Sequence, residues 1–216
     1  MIQAIIFDMN GVIIDDEPLH EIAFKEIFRD HGILVTTEDY RTYCMGQSDK
    51  DGIQALIKKL NLDLPWKTLY AKKQEKYLEL AEADLTLVPG LIDALKRLQK
   101  NYQLCVGSSI RRSDIEYILN RFKIRQFFKS WVGRDEVERG KPNPDIYLEA
   151  AKRLGVQPDE CVAIEDSLAG IESAKNARMI CIGITTTHTA NEMPEADACL
   201  ESFDQLTQEY INSLRT

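Results

Sequence analysis

The chain has 216 residues, 44% hydrophobic and 29% charged, enough for one sizeable core domain or a core carrying a smaller insert. That composition excludes the disordered, collagen-like and disulfide-scaffold classes. Thirty-five acidic against twenty-seven basic residues give a formal charge of −8, which repels phosphate backbones and anionic lipid, so neither nucleic acid nor a membrane surface is expected as a partner.

In chain order, Ile2 to Phe7 is a continuous apolar run that predicts a strand buried on both faces. From Asp15 to about Asp84 only helical periodicity appears. Leu19, Ile22, Ala23, Ile27 and Phe28 mark its first stretch, and Leu69, Lys72, Lys73, Lys76, Tyr77 and Leu80 mark its last. Beyond Pro89-Gly90 the pattern alternates. A helix through Leu91, Ala94, Leu95 and Leu98 precedes a strand at Leu104-Cys105-Val106, and a helix through Ile115, Ile118, Leu119 and Phe122 precedes a strand at Trp131-Val132. The next helix is punctuated by Asn143 as N-cap, Pro144 at the first helical position and Gly155 as terminator. Strands at Cys161 to Ile164 and Met179 to Ile184 bracket a last helix from Leu168 to Ala177. Five strands alternating with helices predict an α/β fold, a Rossmann-like parallel sheet with helices on both faces. Its expected extent is residues 1–14 and 85–216, with a helical subdomain inserted over 15–84.

The five cysteines, Cys44, Cys105, Cys161, Cys181 and Cys199, are scattered without metal-ligand spacing. They read as thiols of a reducing cytoplasm, and zinc is not expected. Met1 to Asp8 reaches a carboxylate too soon for a secretory signal, and no stretch approaches the roughly 18 apolar residues of a membrane span.

Ligands of open α/β sheets bind beyond the carboxyl ends of the strands. The residues there are Asp8 and Asn10, then Ser108 and Ser109, then Lys141, then Glu165 and Asp166. Two hydroxyls, a lysine and three carboxylates suit a phosphate held with a hard divalent cation. Each signal alone also has a structural reading: Asp8 as a helix cap, Lys141-Pro142-Asn143-Pro144 as a surface turn, Glu165-Asp166-Ser167 as a capping cluster. Their joint occurrence in one order is what carries the inference.

Phe7-Asp8-Met9-Asn10-Gly11-Val12, Gly107-Ser108-Ser109, Gly140-Lys141-Pro142-Asn143-Pro144-Asp145 and Ile164-Glu165-Asp166-Ser167 resemble the four motifs of the haloacid-dehalogenase superfamily, in order. With the helical insert after the first motif, they resemble the branch of small phosphatases and β-phosphoglucomutase, and the likeness covers nearly the whole chain. The resemblance implies a core domain with a helical cap and Mg²⁺-dependent hydrolysis of a small phosphorylated metabolite, a sugar phosphate or similar. Asp8 would be the nucleophile that becomes an aspartyl-phosphate. Ser108, Ser109 and Lys141 would hold the phosphoryl group, while Asp8, the Asn10 backbone carbonyl and Asp166 would hold Mg²⁺ and Glu165 would orient the lysine or a water.

The chain departs from the family at Asn10, where a second aspartate usually cycles the proton. An amide donates a hydrogen bond but cannot do so. The alternatives are a natural, slower enzyme, a deliberate trapping substitution, or a phosphate-binding module that no longer turns over. His20 in the first cap helix is a candidate substitute acid. Phosphonate-cleaving relatives use a cap lysine, so Lys50, Lys72, Lys73 and Lys76 are weighed, and Lys76 is retained as a candidate. Met45-Gly46-Gln47-Ser48-Asp49 resembles the cap loop that meets substrate in the mutase branch, which makes Gly46, Gln47 and Ser48 candidates. Asp49 stands where those mutases carry an arginine for a second phosphate, which favours a phosphatase over a mutase. The sequence is silent on oligomeric state and compatible with a monomer.

Overall fold

The computed structural model describes residues 1–214, which divide into two compact units. One combines Met1–Ile14 with the chain from Leu87 onward, and the other is Asp15–Thr86.

The first unit is built on strands β1 (Ala4–Phe7), β4 (Gln103–Gly107), β5 (Ser130–Val132), β6 (Cys161–Glu165), β7 (Ile180–Ile184) and β8 (Ala198–Leu200). A separate short pair is formed by β2 (Ile14–Asp15) and β3 (Thr86–Leu87). The six strands lie in the order β5-β4-β1-β6-β7-β8, and every pairing is parallel. All four residues of β1 and all five of β6 are buried, because central parallel strands are covered on both faces. Among the described residues five helices belong to this unit: α5 (Leu91–Leu98), α6 (Arg112–Arg121), α7 (Asp145–Leu154), α8 (Leu168–Asn176) and α9 (Gln208–Ser213). Helix α7 packs on β1, β4 and β5, and α8 packs on β6 and β7. Ile6, Cys105, Val132, Ile146, Tyr147, Ile171 and Cys181 meet there in one apolar cluster.

The five strands read from the sequence are present, and the α/β Rossmann-like class holds. Three local expectations need correction. The sixth strand, β8, was missed because three residues between Asp197 and Glu201 are too few to show a period, and it forms by pairing with the open edge of β7. Met179 lies outside β7, since its amide closes the turn after α8 on the Ala174 carbonyl. The N-cap of α7 is Pro144, not Asn143, and the helix starts at Asp145. Asn143 is drawn into the preceding loop instead: its side chain donates to the Gly140 carbonyl and its own carbonyl accepts from the Ser173 hydroxyl. Gly155 ends the helix with φ of 72°.

The second unit contains α1 (Glu17–Arg29), α2 (Thr37–Tyr43), α3 (Asp49–Lys59) and α4 (Trp66–Asp84). Phe24, Ile27, Phe28, Val35, Tyr40, Ile53, Leu56 and Leu69 form its core. Beside them lies a polar centre. The fully buried Lys73 donates to Asp49 Oδ1 at 2.7 Å and lies 2.5 Å from His20 Nδ1, with its charge over the rings of Phe24 and Tyr77. His20 Nε2 lies 3.3 Å from Asp16, which also accepts from the Tyr77 hydroxyl.

Burial would raise the Asp49 carboxyl, but hydrogen bonds from His20 and Lys73 and their charge outweigh it and hold its pKa down at about 2. A depressed carboxyl stabilises the fold above its unfolded pKa and loses that contribution as pH falls through the folded one. Asp49→Ala is therefore expected to cost about 2–3 kcal/mol at pH 7, because it also strands a buried ammonium. In urea melts the deficit should shrink as pH falls from about 4 toward 2; a deficit that persists unchanged at low pH would refute this account.

Candidate active site

The register of the sheet assembles the site. Phe7 pairs with Val106 of β4 on one side and Ile164 of β6 on the other. Asp8, Gly107 and Glu165 thus leave the sheet at one level, with Ser108 and Asp166 one residue further on. The Asp8 amide extends the ladder by donating to the Ile164 carbonyl at 3.0 Å, and the Ser108 amide donates to Val132 at 3.0 Å. Gly107 is the last residue of β4, where an added Cβ would come within 3.1 Å of Ile6 and 3.2 Å of Ile146. Ser108 is buried and Ser109 exposed. Asn10, half-buried, lies in a loop closed by backbone bonds from Gly11 to Ile14 and from Ile13 and Ile14 to Met9.

Lys141 reaches the same point from the loop before α7. Its Nζ donates to Asp8 Oδ1 at 2.6 Å and to Glu165 Oε1 at 2.5 Å. The loop is fastened to α8 through Ser173 on the Asn143 carbonyl and Asn176 on the Pro142 carbonyl. Glu165 is fully engaged: Oε1 also accepts from the Tyr147 hydroxyl, and Oε2 accepts from the Ser167 hydroxyl and the amides of Asp166 and Ser167. A Cβ on Gly170 would lie 1.9 Å from this carboxylate, so the first turn of α8 must present bare backbone. Gly11, at φ of 69°, is needed in the same way, since its Cβ would come within 1.8 Å of Asp166 Oδ2.

Electrostatically the site is short of positive charge. Asp8, Glu165 and Asp166 each offer an oxygen within 4.8 Å of the others, and among the described residues the ammonium of Lys141 pairs with Asp8 and Glu165. Burial pushes Asp8 up to about 6, with Glu165 adding to it and Lys141 opposing. Burial likewise holds Asp166 well above the usual carboxylate range, with Glu165 and then Asp8 adding to it. Burial alone would lower Lys141, yet Asp8 and Glu165 outweigh it and keep the ammonium protonated above the ordinary lysine range. Buried carboxylates raised in this way ionise when a cation joins them. Because both oxygens of Glu165 already accept hydrogen bonds, Asp8 and Asp166 are the carboxylates left to ligate one. The donor set, all oxygen with few carboxylates, suits Mg²⁺.

The family description "Haloacid dehalogenase-like hydrolase" matches residues 5–184. The chain belongs to this family. Within the hydrolases it falls in the β-phosphoglucomutase-like branch. It is 33% identical to the Phosphorylated carbohydrates phosphatase of Thermotoga maritima over 180 residues, 81% of each chain. It is 30% identical to Hexitol phosphatase B of Escherichia coli over 95% of each. Among solved structures, CbbY from Rhodobacter sphaeroides, an aspartate-to-asparagine variant in complex with xylulose-1,5-bisphosphate, aligns with a TM-score of 0.73 at 33% identity, covering 95% of this chain and 96% of that one.

The remaining candidates lie in the helical unit of the hydrolase. Gly46 takes φ of 69° and the Gln47 amide closes a turn on Cys44. Ser48 is the N-cap of α3, accepting from the Asp51 amide. His20 is held between Asp16 and the Asp49–Lys73 pair, and the first of these carboxylates together with Asp49 raises it above the ordinary histidine value although burial opposes. Lys76 is paired with Glu26 and Glu79, whereas Lys73, one turn earlier, is the desolvated lysine. Sequence reasoning did not single out Tyr147, the partner of Glu165, or the threonines after β7. Thr186 donates to the Gly11 carbonyl at 2.7 Å and Thr187 to Asp166 Oδ2 at 2.5 Å. The available signal was their position, since Thr185-Thr186-Thr187 follows a strand's carboxyl end as the motifs do.

Among the described residues no helix is long and apolar enough to cross a membrane. Four of the five cysteines are buried and Cys199 is half-buried.

Proposed function

We propose that the chain is a Mg²⁺-dependent phosphatase of small phosphorylated sugars or polyols, acting through an aspartyl-phosphate on Asp8, with Asp15–Thr86 as its cap. The observation that carries this is the buried Asp8–Lys141–Glu165–Asp166 group at adjoining strand ends in a chain of this hydrolase family. An Asp8 oxygen attacks phosphorus, and the bond to the substrate's oxygen breaks. Water then attacks the acyl-phosphate, releasing phosphate and restoring Asp8. Lys141, fixed by Glu165, offsets the repulsion between a carboxylate and an incoming phosphate dianion and holds the transferring oxygens together with Ser108 and the Ser109 amide. Asp8, Asp166 and the Asn10 carbonyl would hold Mg²⁺, which supplies further charge neutralisation at those oxygens. Asn10 orients by hydrogen bonding but leaves the departing alkoxide to find its proton elsewhere.

Asp49 supports a monophosphate substrate. In the helical unit its carboxylate is bound to Lys73, His20 and Gln74, so it offers anionic, already paired groups where the resembling mutases offer a cation to a second phosphate. The names of the phosphatase relatives point the same way.

A panel of hexose, pentose and hexitol monophosphates is expected to give phosphate release with Mg²⁺, none with excess EDTA, and recovery on adding Mg²⁺ back. Activity undiminished by EDTA would reject the metal. Asn10 favours one rival, a phosphate-binding module without turnover, for which calorimetry would show saturable binding of a phosphoester and no product after long incubation.

A further inference from the structure

The loop after β7 makes two side-chain contacts with the segments that surround the acidic group, and neither is accounted for by the roles above. The Thr187 hydroxyl donates to Asp166 Oδ2 at 2.5 Å, in the range of short hydroxyl-to-carboxylate bonds. The Thr186 hydroxyl donates to the Gly11 carbonyl at 2.7 Å, next to Asn10. The loop itself is anchored at its start, where the Thr185 amide donates to the Leu200 carbonyl of β8 at 2.9 Å. Asp166 Oδ2 is confined from the other side by Gly11, whose backbone approaches it so closely that no Cβ fits.

We propose that Thr186 and Thr187 form a two-point brace that sets the cation affinity of the site. Thr187 fixes the rotation of the Asp166 carboxylate so that Oδ1 is the oxygen offered to the cation. Thr186 holds the Asn10–Gly11 backbone at its distance from that carboxylate. Both are positioning residues, and the inference rests on the metal reading of Asp8 and Asp166 given above.

The reason for expecting a measurable effect is entropic and electrostatic. A carboxylate free to rotate must be ordered when the cation binds, whereas one held by a hydroxyl is ordered beforehand. Loss of such outer partners commonly weakens metal binding about 10–100-fold. Thr187 is half-buried and valine matches its shape, so Thr187→Val removes the hydrogen bond with little change in packing.

The test is Mn²⁺ binding to the substrate-free protein, followed by the loss of the free-ion EPR signal on titration. Thr187→Val is expected to raise the Mn²⁺ dissociation constant by about ten-fold or more, and Thr187→Ser, which keeps the hydroxyl, to restore it. Thr186→Val should weaken binding less, because it acts through a backbone carbonyl. Circular dichroism melts establish that each variant is folded, and Thr187→Ala serves the same purpose if the valine variant melts too early to titrate. Unchanged affinity in the hydroxyl-deleted variant would overturn the brace while leaving the metal site standing, as would a serine variant as weak as valine. If the unsubstituted protein takes up no Mn²⁺, the metal reading itself fails, and this inference with it.

Discussion

Asp8→Ala is expected to lower Mg²⁺-dependent release of phosphate from p-nitrophenyl phosphate by at least about 10³-fold, as removal of a covalent nucleophile does in other enzymes. Asp8 is the one carboxylate at the centre of the sheet that both borders Lys141 and emerges from β1 itself. Alanine leaves Lys141 paired with Glu165, so the ammonium keeps a partner and the loop before α7 keeps its anchor. The fold should not suffer either. Burial pushes Asp8 up to about 6, with Glu165 adding to it, despite the lysine beside it, which marks its ionised form as unfavourable in the metal-free chain. A raised carboxyl pKa subtracts stability as pH rises above the unfolded value, so at pH 7 the alanine variant should melt no earlier than the parent. A folded variant with undiminished, EDTA-sensitive turnover would reject Asp8 as nucleophile.

Asn10→Asp is expected to raise turnover by about 10²–10⁴-fold, the range attributed to a positioned general acid/base. The two side chains are nearly isosteric. The loop around them is closed by backbone hydrogen bonds from Gly11, Ile13 and Ile14, which do not depend on which is present. The gain should be largest for sugar and polyol phosphates, whose alkoxides must be protonated to leave, and smaller for p-nitrophenyl phosphate, whose phenolate leaves unaided. A kinetic comparison of both proteins on one alkyl and one aryl phosphate separates these cases. Equal rates on the alkyl substrate would mean that another group already supplies the proton, with His20 first to be replaced.

The two predictions differ in what they ask of the molecule. Loss at position 8 tests whether the cluster acts as a nucleophilic site at all. Gain at position 10 tests whether the chain's departure from its family limits proton transfer alone. A silent Asn10→Asp protein with an Asp8-dependent binding isotherm would instead favour the phosphate-binding module.

Much of this was legible in linear form because parallel strands buried on both faces leave unbroken apolar runs, and the polar residue ending each run marks a strand's carboxyl end. Asp8, Ser108, Glu165 and Asp166 all lie within two residues of such an end, so their proximity follows from strand placement alone. Gly155 was equally readable, since a left-handed helix terminus favours glycine. Strand β8 was not, because a three-residue strand is specified by the neighbour it pairs with and not by its own pattern.

What only the tertiary structure decided are properties that belong to pairs of residues. Lys72, Lys73 and Lys76 share one helical stripe and one chemistry, and nothing local distinguishes them. Packing alone makes Lys73 the buried ion beside Asp49 and leaves Lys76 among surface carboxylates. The same holds for the hydroxyls of Tyr147 and Thr187, ordinary core and loop residues until the fold brings one to Glu165 and the other to Asp166. Sequence placed the charged groups at the strand ends, since hydrophobic patterning is a local quantity. Which oxygen accepts from which donor, and which carboxylate remains for a cation, depends on desolvation and geometry among residues as much as 175 positions apart, and only the folded chain fixes them.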